Sequence, residues 1–106
     1  MKAFDISKLE NQAFEAGHPY YEFLRTSSMS VGLYRLPEGA TDPQSPHKQD
    51  EVYYILSGRA KLQIGDETFP ALPGAIFFVD AGAPHKFVEI QNFLEVLVFF
   101  APAEQG

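Results

Sequence analysis

A chain of 106 residues with 45% hydrophobic content has length for one domain with one core, and not for two. Lys and Arg total 8 against 14 Asp and Glu, and the formal net charge of -6 argues against a surface that tracks nucleic-acid phosphates; a small molecule or a metal ion is the better partner. No cysteine is present, which excludes a disulfide framework, a thiolate zinc site and a cysteine nucleophile while leaving the redox compartment open.

The opening residues MKAFDISKLENQ alternate polar and apolar positions, lack the apolar segment of a signal peptide, and are followed by no apolar run of membrane-spanning length. The expectation is a cytoplasmic protein with no membrane partner. A weak helical pattern lies near Ile6 to Phe14. After it come short segments rich in β-branched and aromatic residues: Tyr20 to Arg25, Ser30 to Leu36, Val52 to Ser57, Arg59 to Ile64, Glu67 to Leu72, Ala75 to Val79, His85 to Ile90 and Phe93 to Phe100. Turn residues stand between most of them, as at Ser57-Gly58, Gly65-Asp66, Pro73-Gly74 and Ala81-Gly82. This punctuation predicts an all-β sandwich or barrel. Ala60, Leu62 and Ile64 alternate with Arg59, Lys61 and Gln63, as a half-exposed strand requires. FLEVLVFF is apolar on both faces apart from Glu95, so it needs cover from the core on one side and from a second subunit or the N-terminal arm on the other.

The chemistry follows from period-two geometry. In an extended strand Ser45, His47, Glu51, Tyr53 and Ile55 share one face, so a histidine and a carboxylate four residues apart can converge on one cation. His85 lies on a later strand, its entry stiffened by Pro84, and folding must bring it to the pair. Two histidines and one carboxylate form the facial set that suits Fe(II), with Mn, Ni, Cu or Zn also acceptable to nitrogen and oxygen donors. His18 reads as a loop histidine outside the site, and Asp42, Asp50, Asp66 and Asp80 read as turn chemistry.

These residues resemble the cupin superfamily, which is marked by the motifs G(X)5HXH(X)3-4E(X)6G and G(X)5PXG(X)2H(X)3N. Here the first runs from Gly39 through Ser45 and His47 to Glu51 and Gly58, and the second from Gly74 through Asp80, Gly82 and His85 to Glu89, with fifteen residues between them. All internal spacings agree. The chain departs from the family at Ser45, which stands in place of the first histidine, at Asp80 in place of proline, and at Glu89 in place of asparagine.

The resemblance implies an all-β double-stranded β-helix, or jelly-roll barrel, as one cupin domain over 1–106, with an N-terminal arm over about 1–19 and the barrel over about 20–102. By position it implies a divalent metal held by His47, Glu51 and His85, with water on Ser45 or an amide oxygen from Gln49 or Gln44 filling the fourth place. Tyr53 and Phe87 are candidates to line the pocket, and Phe77 and Phe78 add to its aromatic supply. Two functions follow as expectations. One is a metal-dependent dioxygenase or isomerase acting on a small organic ligand, with open coordination positions for substrate, O2 or water. The other is a non-catalytic module that binds or senses a sugar or similar molecule through a reduced metal site. In 106 residues there is no helix-turn-helix segment, so no nucleic-acid partner is expected. The family's habit of packing strands or exchanging N-terminal segments implies a homodimer.

Overall fold

A computed structural model describes residues 1–43 and 46–104. Ser45 and Gln44, the first proposed as a water holder or accessory ligand, lie outside the described residues. The order of elements is α1 (Ile6–Ala16), β1 (Tyr20–Arg25), β2 (Ser30–Leu36), β3 (Asp50–Ile64), β4 (Glu67–Ala71), β5 (Ile76–Val79) and β6 (His85–Ala101). Among the described residues no helix is long and apolar enough to cross a membrane.

The weak helical pattern becomes a helix of 11 residues. Eleven residues are too few to hold a helix in water by themselves, so its ends and its apolar face matter. Asp5 caps the start, its carboxylate accepting from the Ser7 and Lys8 amides, and Gly17 ends it in the left-handed conformation at φ 75°. Leu9 and Ala13, four residues apart, are buried against Leu33, with Tyr21, Phe23 and Leu56 packed around them. The helix therefore covers β1 and β2, and reaches FLEVLVFF only where Glu10 neighbours Glu95.

All strand pairs are antiparallel, and the path through the sheet is β1-β2-β6-β3-β4, with β5 also on β3. This corrects the expectation of a closed double-stranded β-helix or jelly-roll barrel. The path ends at β1 and β4, no ladder joins those ends among the described residues, and the sheet is open. The physical reason lies in β3 and β6. Each reads in the sequence as two strands separated by a turn, yet they are continuous at 15 and 17 residues and bend in mid-course.

The bend can be followed residue by residue. Glu51, Tyr53 and Ile55 are buried on odd numbers, but beyond Gly58 the buried positions are Ala60 and Leu62. β6 makes the same switch, from His85 and Phe87 to Ile90, Leu94, Val96, Val98 and Phe100. The pairing register of β3 with β6 shifts between Ile55 and Lys61, and positive φ occurs at Gly58, Glu89 and Asn92. An extra residue in each strand both turns it and flips which parity faces inward. Two bent strands let one sheet curl around the cluster that includes Tyr53, Ile55, Leu62, Phe87, Val96 and Phe100, without hydrogen bonds along a seam. Glu89, which stands where the family has asparagine, has φ 51°, a left-handed conformation that asparagine tolerates better than glutamate.

Asp42 reads in the sequence as turn chemistry, and the structure corrects this. Its side chain is buried, accepting from the Tyr34 hydroxyl at 2.5 Å and from the Phe87 amide at 2.8 Å, so it ties β2 to β6 across the core. A carboxylate is retained there because both of its oxygens have donors. Asp50 does act locally, accepting from the Ala81 amide at 2.9 Å.

Under α1 the buried Glu95 carboxylate accepts from Arg35 Nε at 3.1 Å. Burial first, and then the neighbouring Glu10, push its pKa up to about 7, against the opposing pull of Arg35. The folded state thus keeps a proton on Glu95 that the unfolded chain releases near 4.5, so stability is full below that value and falls as pH rises towards 7. Glu95→Gln removes the titration while leaving an oxygen for Arg35. In chemical denaturation the variant should match the wild type at about pH 4.5 and exceed it by about 2 kcal/mol at about pH 8. A difference that is the same at both pH values would contradict this account.

Candidate metal centre

His47, Glu51 and His85 come together: each offers a donor atom, and these atoms lie within 4.8 Å of one another. Glu51 sits on the inner face of β3, opposite Val79 of β5 on one side and Phe100 of β6 on the other. His85 is the first residue of β6, opposite Ile64. His47 does not lie on the strand, as a regular extended run would require, but in the loop before it. Backbone contacts hold that loop: the Gly82 amide donates to the His47 carbonyl at 2.7 Å, joining the loops of the two motifs.

The site is already polarised towards a cation. Both the Glu51 and His85 side chains are 1% exposed. Glu51 Oε1 and His85 Nε2 approach to 2.7 Å, yet they are not aligned as a hydrogen bond, and His85 Nε2 and both Glu51 oxygens have no hydrogen-bond partner among the described residues. At the other edge of the ring, His85 Nδ1 is 2.8 Å from the Ala83 carbonyl, so Nδ1 carries the proton and donates it, leaving the Nε2 lone pair facing Glu51 and His47. Burial by itself lowers the pKa of His85, but the Glu51 carboxylate and the Ala83 carbonyl outweigh it and the net direction is upward. Buried donor atoms without partners, clustered and of mixed nitrogen and oxygen type, suit a divalent metal ion. On these observations the residues present fit such an ion.

The other expected residues are placed differently. Tyr53 and Phe87 are fully buried, their rings 5.0 Å apart, and Tyr53 packs against the His85 ring at 5.9 Å. Gln49 is buried in the loop that carries His47. Phe77 packs on the core, whereas Phe78 is turned to the outer face and is 58% exposed. His18 is exposed before β1, away from the cluster as expected.

A cavity of about 160 Å³ opens beside His47, walled by Tyr20, Tyr34, His47, Val98, Phe100 and Glu104. Of these only His47 stands out in the sequence. Tyr20 and Tyr34 are cross-strand partners on the inner face of β1 and β2, a relation that alternation within each strand suggests but pairing alone can establish. Glu104 arrives from beyond β6, fixed by its amide donating to Ser30 Oγ at 2.9 Å and its carbonyl accepting from Arg25 at 2.6 Å. Its carboxylate then lies 3.9 Å from His47 Nδ1.

Comparison with known proteins identifies the family. The cupin domain model matches residues 32–100, which include the three clustered side chains. The chain belongs to the cupin family. This cupin is 48% identical over 104 residues to an uncharacterised protein of Streptomyces coelicolor, covering 98% of this chain and 99% of the other. Among solved structures it is similar to TT1209 from Thermus thermophilus, at 26% identity and a TM-score of 0.79, over 97% of this chain and 99% of that one. It is also similar to the DMSP lyase DddQ from Ruegeria pomeroyi, at 26% identity and a TM-score of 0.67, over 72% of this chain and 39% of that one.

Proposed function

We propose that this cupin holds a divalent transition metal on His47, Glu51 and His85 and acts on a small organic molecule in the cavity beside His47, as a metal-dependent oxygenase or isomerase. The observation that carries the reading is the buried cluster of Glu51 and His85, whose facing atoms have no partner beyond each other among the described residues, with His47 in reach. A divalent ion bound there would supply Lewis acidity to a substrate oxygen. The chain's own residues do the rest: the Ala83 carbonyl fixes the tautomer of His85, the aromatic walls give an apolar seat for the molecule, and Glu104 places a carboxylate beside His47. The similarity to a lyase supports small-molecule chemistry on this scaffold. The alternative, a sugar-sensing module, fits less well, because the walls are largely aromatic and aliphatic while a sugar presents hydroxyls around its ring. Elemental analysis of protein purified without chelator should find about one transition-metal ion per chain, and His47→Ala should lower the affinity of the stripped protein for added Mn²⁺ or Zn²⁺ at least about tenfold. Metal-free protein whose titration is unchanged by the substitution would refute the assignment.

We also propose a homodimer formed through the outer face of the sheet. The pairings Val52 with Phe78 and Phe99, and Tyr54 with Ile76 and Leu97, put six apolar side chains on one side. Ile76 is 68% exposed and Phe78 58%. A contiguous apolar face of this kind is what an isologous interface buries. The double variant Ile76→Glu, Phe78→Glu should elute at monomer mass while retaining its fold; a wild type that scatters as a monomer at micromolar concentration would remove the proposal.

A further inference from the structure

Glu104, which walls the cavity beside His47, is held in place from two sides. Its amide donates to Ser30 Oγ at 2.9 Å, and its carbonyl accepts from Arg25 at 2.6 Å. Ser30 opens β2 and is fully buried, while Arg25 closes β1 and donates to both carboxylate oxygens of Glu22, so both anchors belong to the β1-β2 hairpin. That placement leaves Glu104 Oε1 3.9 Å from His47 Nδ1, with the two side chains only 22% and 23% exposed. The separation is longer than a hydrogen bond. It is also shorter than the roughly 4.6 Å that a bridging water spans with two bonds of about 2.8 Å at a tetrahedral angle, so the pair interacts without one.

A neutral imidazole carries its one proton on either ring nitrogen, and a nearby anion favours the tautomer whose N–H is next to it. Coulomb attraction acts across such a gap without a formed hydrogen bond, and it is stronger where water is largely excluded. Among the described residues Glu104 is the carboxylate within ion-pair reach of His47, whereas Glu51 faces His85 at 2.7 Å. For His47 this selects Nδ1–H and leaves the Nε2 lone pair for a metal. His85 reaches the same tautomer through a different acceptor, the Ala83 carbonyl 2.8 Å from its Nδ1. Acceptors of this kind behind a ligating imidazole fix its orientation and raise its affinity. We propose that Glu104 is a positioning residue for the metal centre, its carboxylate holding His47 in the Nδ1–H tautomer so that Nε2 is the ligating atom. The inference rests on the metal reading for its effect on affinity, and on the geometry of Glu104 and His47 alone for the tautomer.

Nitrogen-15 NMR of the imidazoles in metal-free protein reads the tautomer directly at about pH 9, where an ordinary imidazole is neutral. The chain has 3 histidines, so His18 and His85 serve as internal references. His47 should be Nδ1–H in the wild type, and Glu104→Ala should move it towards Nε2–H while His85 stays as it is. The backbone anchors to Ser30 and Arg25 survive that substitution, so thermal unfolding of the metal-free protein should not change. Titration of stripped protein with Zn²⁺ should then show an affinity about tenfold lower for Glu104→Ala. An Nε2–H tautomer in the wild type overturns the proposal, and this result needs no variant, so it stands even if Glu104→Ala unfolds. A His47 tautomer indifferent to the substitution, a change that His85 shares, or a zinc affinity left intact would overturn it as well. A wild type that takes up no zinc while its His47 tautomer follows Glu104 would sink the metal reading alone, whereas zinc bound through His47 with an indifferent tautomer would sink this one alone.

Discussion

Glu51→Gln should lower the affinity for a divalent metal at least about 100-fold and, in the metal-free protein, raise stability by about 1 kcal/mol. The two effects have opposite signs because the carboxylate serves one purpose at the expense of another. In the folded chain Glu51 and His85 are both 1% exposed and face each other at 2.7 Å, and while His85 is neutral with its proton on Nδ1 no donor among the described residues reaches the carboxylate, so the desolvation of the charge is then poorly offset. Glutamine keeps the shape, removes the charge, and presents an amide N–H to the lone pair on His85 Nε2, which is free to accept because Nδ1 donates to the Ala83 carbonyl. What glutamine cannot supply is the anionic oxygen that a hard or borderline cation prefers. Calorimetric metal titration and denaturant unfolding, run on the same stripped samples, check both halves. A variant that binds metal as tightly as the wild type would show that Glu51 is a structural partner of His85 only. If the metal-free variant is clearly destabilised, the carboxylate instead stabilises the apo fold.

Gly58→Ala should cost about 4 kcal/mol or more and lower the melting temperature by about 15 °C or more, enough to unfold much of the population of a domain this small. Two penalties act together. The residue has φ 90°, where an L side chain is strained, and a Cβ there would lie 2.5 Å from the Phe93 carbonyl oxygen and 2.7 Å from Leu94 Cα. Both obstructing atoms belong to the backbone of β6, so no rotamer change relieves the overlap, and the strands must part where both bend. Gly39, another glycine of the same motif, provides the control. At φ 76° a Cβ added to it would meet nothing within 4 Å, so Gly39→Ala should cost only the conformational strain, about 1 kcal/mol. Equal melting temperatures for the two variants would show that close packing at Gly58 is not what the motif requires.

Much of the candidate site is legible in the chain because a cluster able to hold a metal needs particular donors at particular spacings. His47, Glu51 and His85 are identifiable by residue type and interval, and the structure brings them together. The route differs for His47, which reaches the cluster from a loop pinned by Gly82 and not from a continued strand. The cavity walls are not legible. Tyr20, Tyr34, Phe100 and Glu104 come from β1, β2, β6 and the segment after it, and nothing in their local sequence distinguishes them from other strand aromatics or surface carboxylates. Asp42 shows the same blindness, since a buried acceptor for a tyrosine hydroxyl and a backbone amide looks, in one dimension, like a turn residue.

By itself the sequence determined the β character, the candidate donor set and the glycine positions, because alternation, donor chemistry and left-handed backbone are local properties of residue type. Only the tertiary structure decided that the sheet stays open and that β3 and β6 run on as single bent strands. The parity switch across Gly58 is a property of how those two strands pair. It cannot be read from either segment alone, since each half keeps a correct alternation of its own. The same pairing decided which aromatic rings, Tyr20, Tyr34 and Phe100, meet beside His47.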